Sequence, residues 1–153
     1  MNILWIVNAP FPEVSERLQL NNFVKGWVYS SAYELTKRYP GVNLGVASIY
    51  DGNCVNQIEI GNIIHFLVPQ EARTDAINPK NDIYWKQIKK QFNPDIVHIY
   101  GSEYPYSYAY IRACGADNVV VSIQGIVSII DRYYLGEAFL SWILYLCNSP
   151  GSP

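Results

Sequence analysis

Two hydrophobic periods alternate along this chain. Runs rich in Val and Ile, unbroken at Ile3 to Val7 and largely apolar at Val42 to Tyr50, Ile96 to Tyr100 and Asn118 to Gly125, read as strands of a sheet covered on both faces. Between them the spacing lengthens to that of helices. "GWVYSSAYELTKRY" predicts a helix from near Gly26, with Trp27, Ser31 or Ala32, and Leu35 on one face. "DIYWKQIKKQF", Asp82 to Phe92, turns Ile83, Ile88 and Phe92 one way and basic residues the other. It must stop at "NPD", where proline has no N–H to give and restricts the residue before it. "NQIEIGN" and "IIHFLVP" read as a hairpin or as consecutive strands split at Gly61 and Asn62. A further helix is predicted over Tyr104 to Cys114, with Tyr104, Tyr108 and Ile111 on one face. The stretch from Asn8 to Lys25, broken by prolines, asparagines and mixed charges, reads as a loop.

The resulting order, β-α-β-β-β-α-β-α-β, predicts a doubly wound α/β domain with a mostly parallel sheet and helices on both faces. Ligands of such sheets bind outside the carboxyl ends of the strands, which here means the loops after Val7, Tyr100 and Gln124. Polar residues gather at those three places. The domain is expected to span residues 1–147. The tail "NSPGSP", residues 148–153, reads as flexible and as the point where a longer protein has been cut, directly after the apolar stretch Ala138 to Cys147.

Composition narrows the class. Half of the 153 residues are apolar, which excludes a disordered chain, and the formal charge is only −2. No run of Lys or Arg exceeds two residues, so neither a nucleic-acid partner nor a polybasic membrane patch is expected. Cys54, Cys114 and Cys147 are odd in number and widely spaced, with no metal-ligand pattern around them. They read as core thiols in a reducing compartment, and no metal site is predicted. The first strand lacks the basic start and cleavage site of a secretory signal, and no stretch approaches the roughly 20 apolar residues that span a bilayer.

Candidate chemistry lies at the strand ends. Lys25 and Gly26 open a helix after the first strand, where free N–H groups favour an anion and glycine allows close approach; a simple tight turn explains Gly26 equally well. Neither a G-x-G-x-x-G fingerprint nor a P-loop is present. His98, Gly101, Ser102 and Glu103 end another strand. There Glu103 suits a sugar hydroxyl or a proton transfer, or merely favours the dipole of the helix that follows. His98 has no visible acid or nucleophile partner and reads rather as supporting. Gln124 and Gly125 end the last strand, the amide able both to donate and to accept, as neutral polyol recognition requires. His65, inside an apolar strand, is taken as structural. Seven of the 13 tyrosines crowd into "YGSEYPYSYAY" and "DRYYLGE", where they suit either packing or a carbohydrate pocket.

Taken in order, "MNILWIVNAPFP", "KGWVYSSAYELTKR", "NPDIVHIYGSE" and "VVVSIQG" resemble the N-terminal domain of the retaining GT-B glycosyltransferases, over Met1 to about Gly136. That family opens with a "MKIL…V" strand, continues with a glycine pair before a long helix, and has strand ends of the forms "PDVVHxHG" and "xTxHG". The resemblance implies one Rossmann-like half of a two-domain enzyme. This half would bind the acceptor, a glycan or lipid-linked saccharide, while a C-terminal Rossmann-like domain of the same protein would hold the nucleotide-sugar donor. No cofactor is then expected in this domain, and the fragment alone would be inactive. A cytoplasmic location follows, at the inner face of the membrane where the acceptor is lipid-linked. By position, Gly26 matches the second glycine of the pair, whose loop nears the donor phosphates. His98 and Gly101 to Glu103 match the "HxHG" strand end, and Gln124 falls on a cleft histidine. Three positions depart from the pattern: Lys25 replaces the first glycine, Tyr100 the second histidine, and Gln124 the later one.

The alternative is a stand-alone flavodoxin-like binding module, or an interaction domain using Ala138 to Cys147. Against a receiver-type module, the position after the first strand reads Asn8, Ala9, Pro10, without the acidic cluster that holds Mg²⁺.

Overall fold

A computed structural model describes residues 1–69, 79, 82–102 and 104–123, and residues Met1–Ile123 form one compact unit. In chain order the elements are β1 (Asn2–Val7), α1 (Pro12–Leu18), α2 (Trp27–Arg38), β2 (Asn43–Tyr50), β3 (Asn56–Ile60), β4 (Ile63–Pro69), α3 (Asp82–Phe92), β5 (Ile96–Tyr100), α4 (Pro105–Cys114) and β6 (Val119–Ser122). They form a six-stranded sheet in the order β3-β4-β2-β1-β5-β6, parallel except for β3.

The strand period of two assigns the faces. Trp5 and Val7 of β1, with Leu44 and Val46 of β2, pack under Phe11, Val14, Val28 and Ala32 from the α1 and α2 side. Leu4 and Ile6, with Ala47 and Ile49, pack on the other face against Trp85, Ile88, Phe92, Ala109 and Tyr110 of α3 and α4. Both faces are therefore covered, as the unbroken Val/Ile runs require. Setting β3 aside, the parallel strands stand in the order third, second, first, fourth, fifth, which is the Rossmann-like arrangement. The flavodoxin-like alternative calls for the first strand between the second and third, and the observed order does not meet it. Gly61 and Asn62 form a two-residue hairpin turn between β3 and β4, with Gly61 at φ 58, a backbone conformation that favours glycine.

The "NPD" corner ties α3 to the sheet. Asn93 takes a left-handed φ of 48, and its N–H donates to the Lys89 carbonyl at 2.9 Å to close the helix. The Asn2 amide then donates to the Phe92 carbonyl at 2.9 Å, and the Asn2 backbone N–H donates to Asp95 Oδ2 at 2.7 Å. A sequence feature that ends a helix thus also fixes where β5 begins beside β1.

Several helix faces differ from the predicted ones. In α2 the buried residues are Val28, Ala32 and Thr36, and Trp27 is 58% exposed. In α3 they are Trp85, Ile88 and Phe92, with Ile83 65% exposed. In α4, Ser107, Ala109 and Tyr110 turn inward and Tyr104 and Tyr108 outward. Trp27 and Ile83 stand in the first turns of their helices, whereas Tyr108 is exposed in the middle of α4. The predicted loop from Asn8 to Lys25 contains α1, a two-turn helix begun by Pro12 at its first position. Nor are the cysteines uniformly core residues. Cys54 is exposed in the β2–β3 connection, where its carbonyl accepts from the Tyr50 hydroxyl at 2.5 Å, and Cys114 is half-buried. Cys147 and Ala138 to Cys147 lie outside the described residues.

A candidate ligand crevice at the strand switch point

The strand order reverses between β1 and β5. Connections leave these neighbours toward opposite sides of the sheet, the arrangement that in folds of this kind makes a candidate crevice outside their carboxyl ends. Its first wall is the segment between β1 and α2. The Val24 N–H donates to the Pro10 carbonyl at 2.7 Å, and Ser15 Oγ donates to the Asn22 carbonyl at 2.6 Å, which folds the segment back over α1. Lys25 and Gly26 emerge from it exposed. Gly26 has φ 92 and ψ −149, a conformation other residues rarely adopt, and no side chain caps the α2 start. A Cβ at Gly26 would meet nothing within 4 Å, so the backbone conformation, and not crowding, calls for glycine. The Lys25 ammonium lies over the Phe23 ring, 4.8 Å from its centroid.

The second wall is the end of β5. Gly101, buried at φ 95, donates its N–H to the Ser122 carbonyl at 2.9 Å and accepts from Ser107 Oγ at 2.5 Å. Tyr106 donates its hydroxyl to the Tyr100 carbonyl at 3.0 Å. The turn is thereby locked to the first turn of α4, and Ser102 stands exposed beyond it. Tyr104 is partly exposed and stacks on Tyr106 at 5.2 Å.

An aromatic ladder joins the two walls. Trp27 meets Tyr100 edge to face at 5.4 Å, Tyr100 meets Trp5 at 5.0 Å, and His98 stacks on Tyr100 at 4.1 Å. His98 Nε2 shares a 2.6 Å hydrogen bond with the Ser122 hydroxyl. Burial lowers the His98 pKa from its ordinary value, so the ring is neutral at neutral pH and can accept the hydroxyl proton. Burial also raises the Tyr100 pKa, which keeps the phenol protonated. The β5 end of the crevice is accordingly built of neutral rings, hydroxyls and backbone groups, facing a wall that carries the exposed Lys25 ammonium.

Of the residues selected from sequence, His98, Gly101 and Ser102 share one strand end. Lys25 and Gly26 reach it through Trp27, the next residue, which packs on Tyr100. Glu103, Gln124 and Gly125 lie outside the described residues. Sequence reasoning missed Ser122 as the partner of His98, and it placed Trp27 in the core. The first was detectable in part: pairing "VHIY" with "VVVS" in parallel register sets His98 opposite Val120 and Tyr100 opposite Ser122, two residues along the same strands.

Among the described residues, no cluster of three or more His, Cys, Asp or Glu side chains could hold a metal ion, and no helix is long and apolar enough to cross a membrane. A cavity of about 360 Å³, lined by residues such as Thr36, Asn43 and Glu59, lies at the amino ends of β2 and β4. That is the edge of a parallel sheet away from the switch-point crevice. Comparisons of the chain with protein-family models, curated proteins and solved structures yield no match.

Proposed function

We propose that this chain is the acceptor-binding, N-terminal half of a retaining GT-B glycosyltransferase, taking a glycan or a lipid-linked saccharide at the crevice between β1 and β5. One observation carries the reading. The strand end that resembles the "HxHG" motif, His98 to Gly101, ends at the switch point among neutral hydroxyls and aromatic rings, with the charge of Lys25 on the facing loop. Neutral polyols are held by such groups, whereas a nucleotide diphosphate calls for fixed positive charge. The donor would be held by a C-terminal Rossmann-like domain, which would also stabilise the leaving diphosphate. Work on lipid-linked acceptors would bring the protein to the cytoplasmic face of a membrane.

Saturation-transfer NMR on the 153-residue chain tests this division of labour. Ring protons of oligosaccharides should receive saturation, and the uridine protons of UDP-glucose should not. Saturation confined to the uridine would sink the acceptor assignment.

A further inference from the structure

We propose that Trp27 is the stacking platform for a neutral pyranose ring at this crevice. The inference rests on the acceptor-binding reading and adds to it the chemical class of the ligand and the surface that it meets.

Trp27 is the first residue of α2, follows Gly26 at φ 92, and remains 58% exposed although its ring meets Tyr100 edge to face. Tyr100 is itself buried and held from three directions. His98 stacks on it at 4.1 Å, Trp5 meets it edge to face at 5.0 Å, and the Tyr106 hydroxyl holds its carbonyl at 3.0 Å. The indole is therefore braced by its edge-to-face contact with Tyr100 while Trp27 remains largely exposed at the ligand edge of the sheet. A large, flat, pre-positioned apolar surface of this kind binds with little loss of side-chain freedom.

The surroundings select among flat or ring-shaped ligands. The C–H face of a pyranose carries partial positive charge and meets the negative face of the indole, while its rim of hydroxyls needs neutral donors and acceptors. The exposed Ser102 hydroxyl stands at the same carboxyl edge. A nucleobase would stack equally well on an indole, but its nucleotide also brings phosphate, and the Lys25 ammonium is turned onto the Phe23 ring.

The chain contains four tryptophans, and Trp85, 1% exposed in the core, serves as an internal control. Labelled with 5-fluorotryptophan, the protein is titrated with methyl β-glucopyranoside, methyl β-galactopyranoside and maltotriose, and separately with uridine monophosphate, while ¹⁹F resonances are followed. A pyranoside should move the Trp27 resonance and leave Trp85 in place. Trp27→Ala should weaken saccharide binding about tenfold and Trp27→Phe roughly two- to fivefold, as befits a central stacking residue. An unchanged Trp85 resonance verifies that each variant is folded. Saccharide binding that Trp27→Ala leaves within about twofold overturns the platform but not the acceptor-binding reading. Preferential movement of Trp27 by uridine monophosphate overturns the ligand class. No response to any saccharide, by this readout or by saturation transfer, overturns both.

Discussion

His65 is fully buried in the middle of β4, between Val46 and Ile58 in the sheet and beneath the Phe11 ring at 5.5 Å, and neither ring nitrogen has a hydrogen-bond partner. Burial pushes its pKa from the ordinary 6.5 down to about 4. Because the unfolded chain binds the proton more readily, this site leaves stability intact above pH 6.5 and lowers it progressively as pH falls toward 4. The full loss is on the order of 3 kcal/mol. Urea midpoints between pH 7.5 and 5 should fall for the wild type, and His65→Leu should remove most of that slope; an equal slope in the variant would refute the assignment. Gly45 makes a second residue-scale test. A Cβ there would lie 2.9 Å from Phe92 Cζ, in a ring already packed on Phe66 at 5.7 Å. Gly45→Ala should cost about 1–3 kcal/mol by overpacking, and Phe92→Leu in the same chain should recover part of it. Nothing about Gly45 in the sequence marks this role, because the neighbour that crowds it is 47 positions away.

At the scale of elements, the helices were legible in extent but not in orientation. α3 spans Asp82–Phe92 as its period predicts, because "NPD" supplies a stop and Trp85, Ile88 and Phe92 supply a stripe. Which apolar residue faces inward depends on how the helix packs on the sheet, which its own period does not report, and so Ile83 and Trp27 were misplaced. α3 and α4 are clasped by Arg112, whose guanidinium bonds Asp82 through Nε at 3.2 Å and through a second nitrogen to the other carboxylate oxygen. The Arg112 hydrogen bond holds the Asp82 carboxyl below its ordinary value, so the clasp is present at neutral pH and lost as acid protonates Asp82. Asp82→Asn should speed hydrogen exchange in α4 while leaving β2 unaffected. Equal rates in α4 for both proteins would mean that the clasp contributes nothing measurable, as many surface pairs do. α1 escaped sequence reading because seven residues carry too few turns for a period to appear.

For the whole molecule, the sheet order sets a gradient of stability. Among the described strands, β1, β2, β4 and β5 each have a hydrogen-bonded neighbour on both sides, while β3 and β6 have one. β3 also alternates between exposed and half-buried residues. Amide exchange should therefore be slowest in β1 and β2 and fastest in β3; a β3 as protected as β1 would contradict the edge assignment. The same order places the switch point beside the most protected strands, so the crevice residues His98 and Tyr100 stand on a rigid base.

What the sequence alone determined is the alternation of strand and helix, the parallel character of the sheet and the places where strands end. Those properties follow from local periodicity and from the chemistry of proline and glycine. His98, Gly101 and Ser102 could be assigned to one strand end for that reason. Tertiary structure decided which strand ends are neighbours, which face each side chain takes, and which partners meet. His98 finds Ser122 across 24 positions, and Trp27 finds Tyr100 across 73, through a strand order that no local pattern encodes. The physical reason is that burial and ring contact depend on packing between distant segments, whereas periodicity reports only how each segment would present itself to a core.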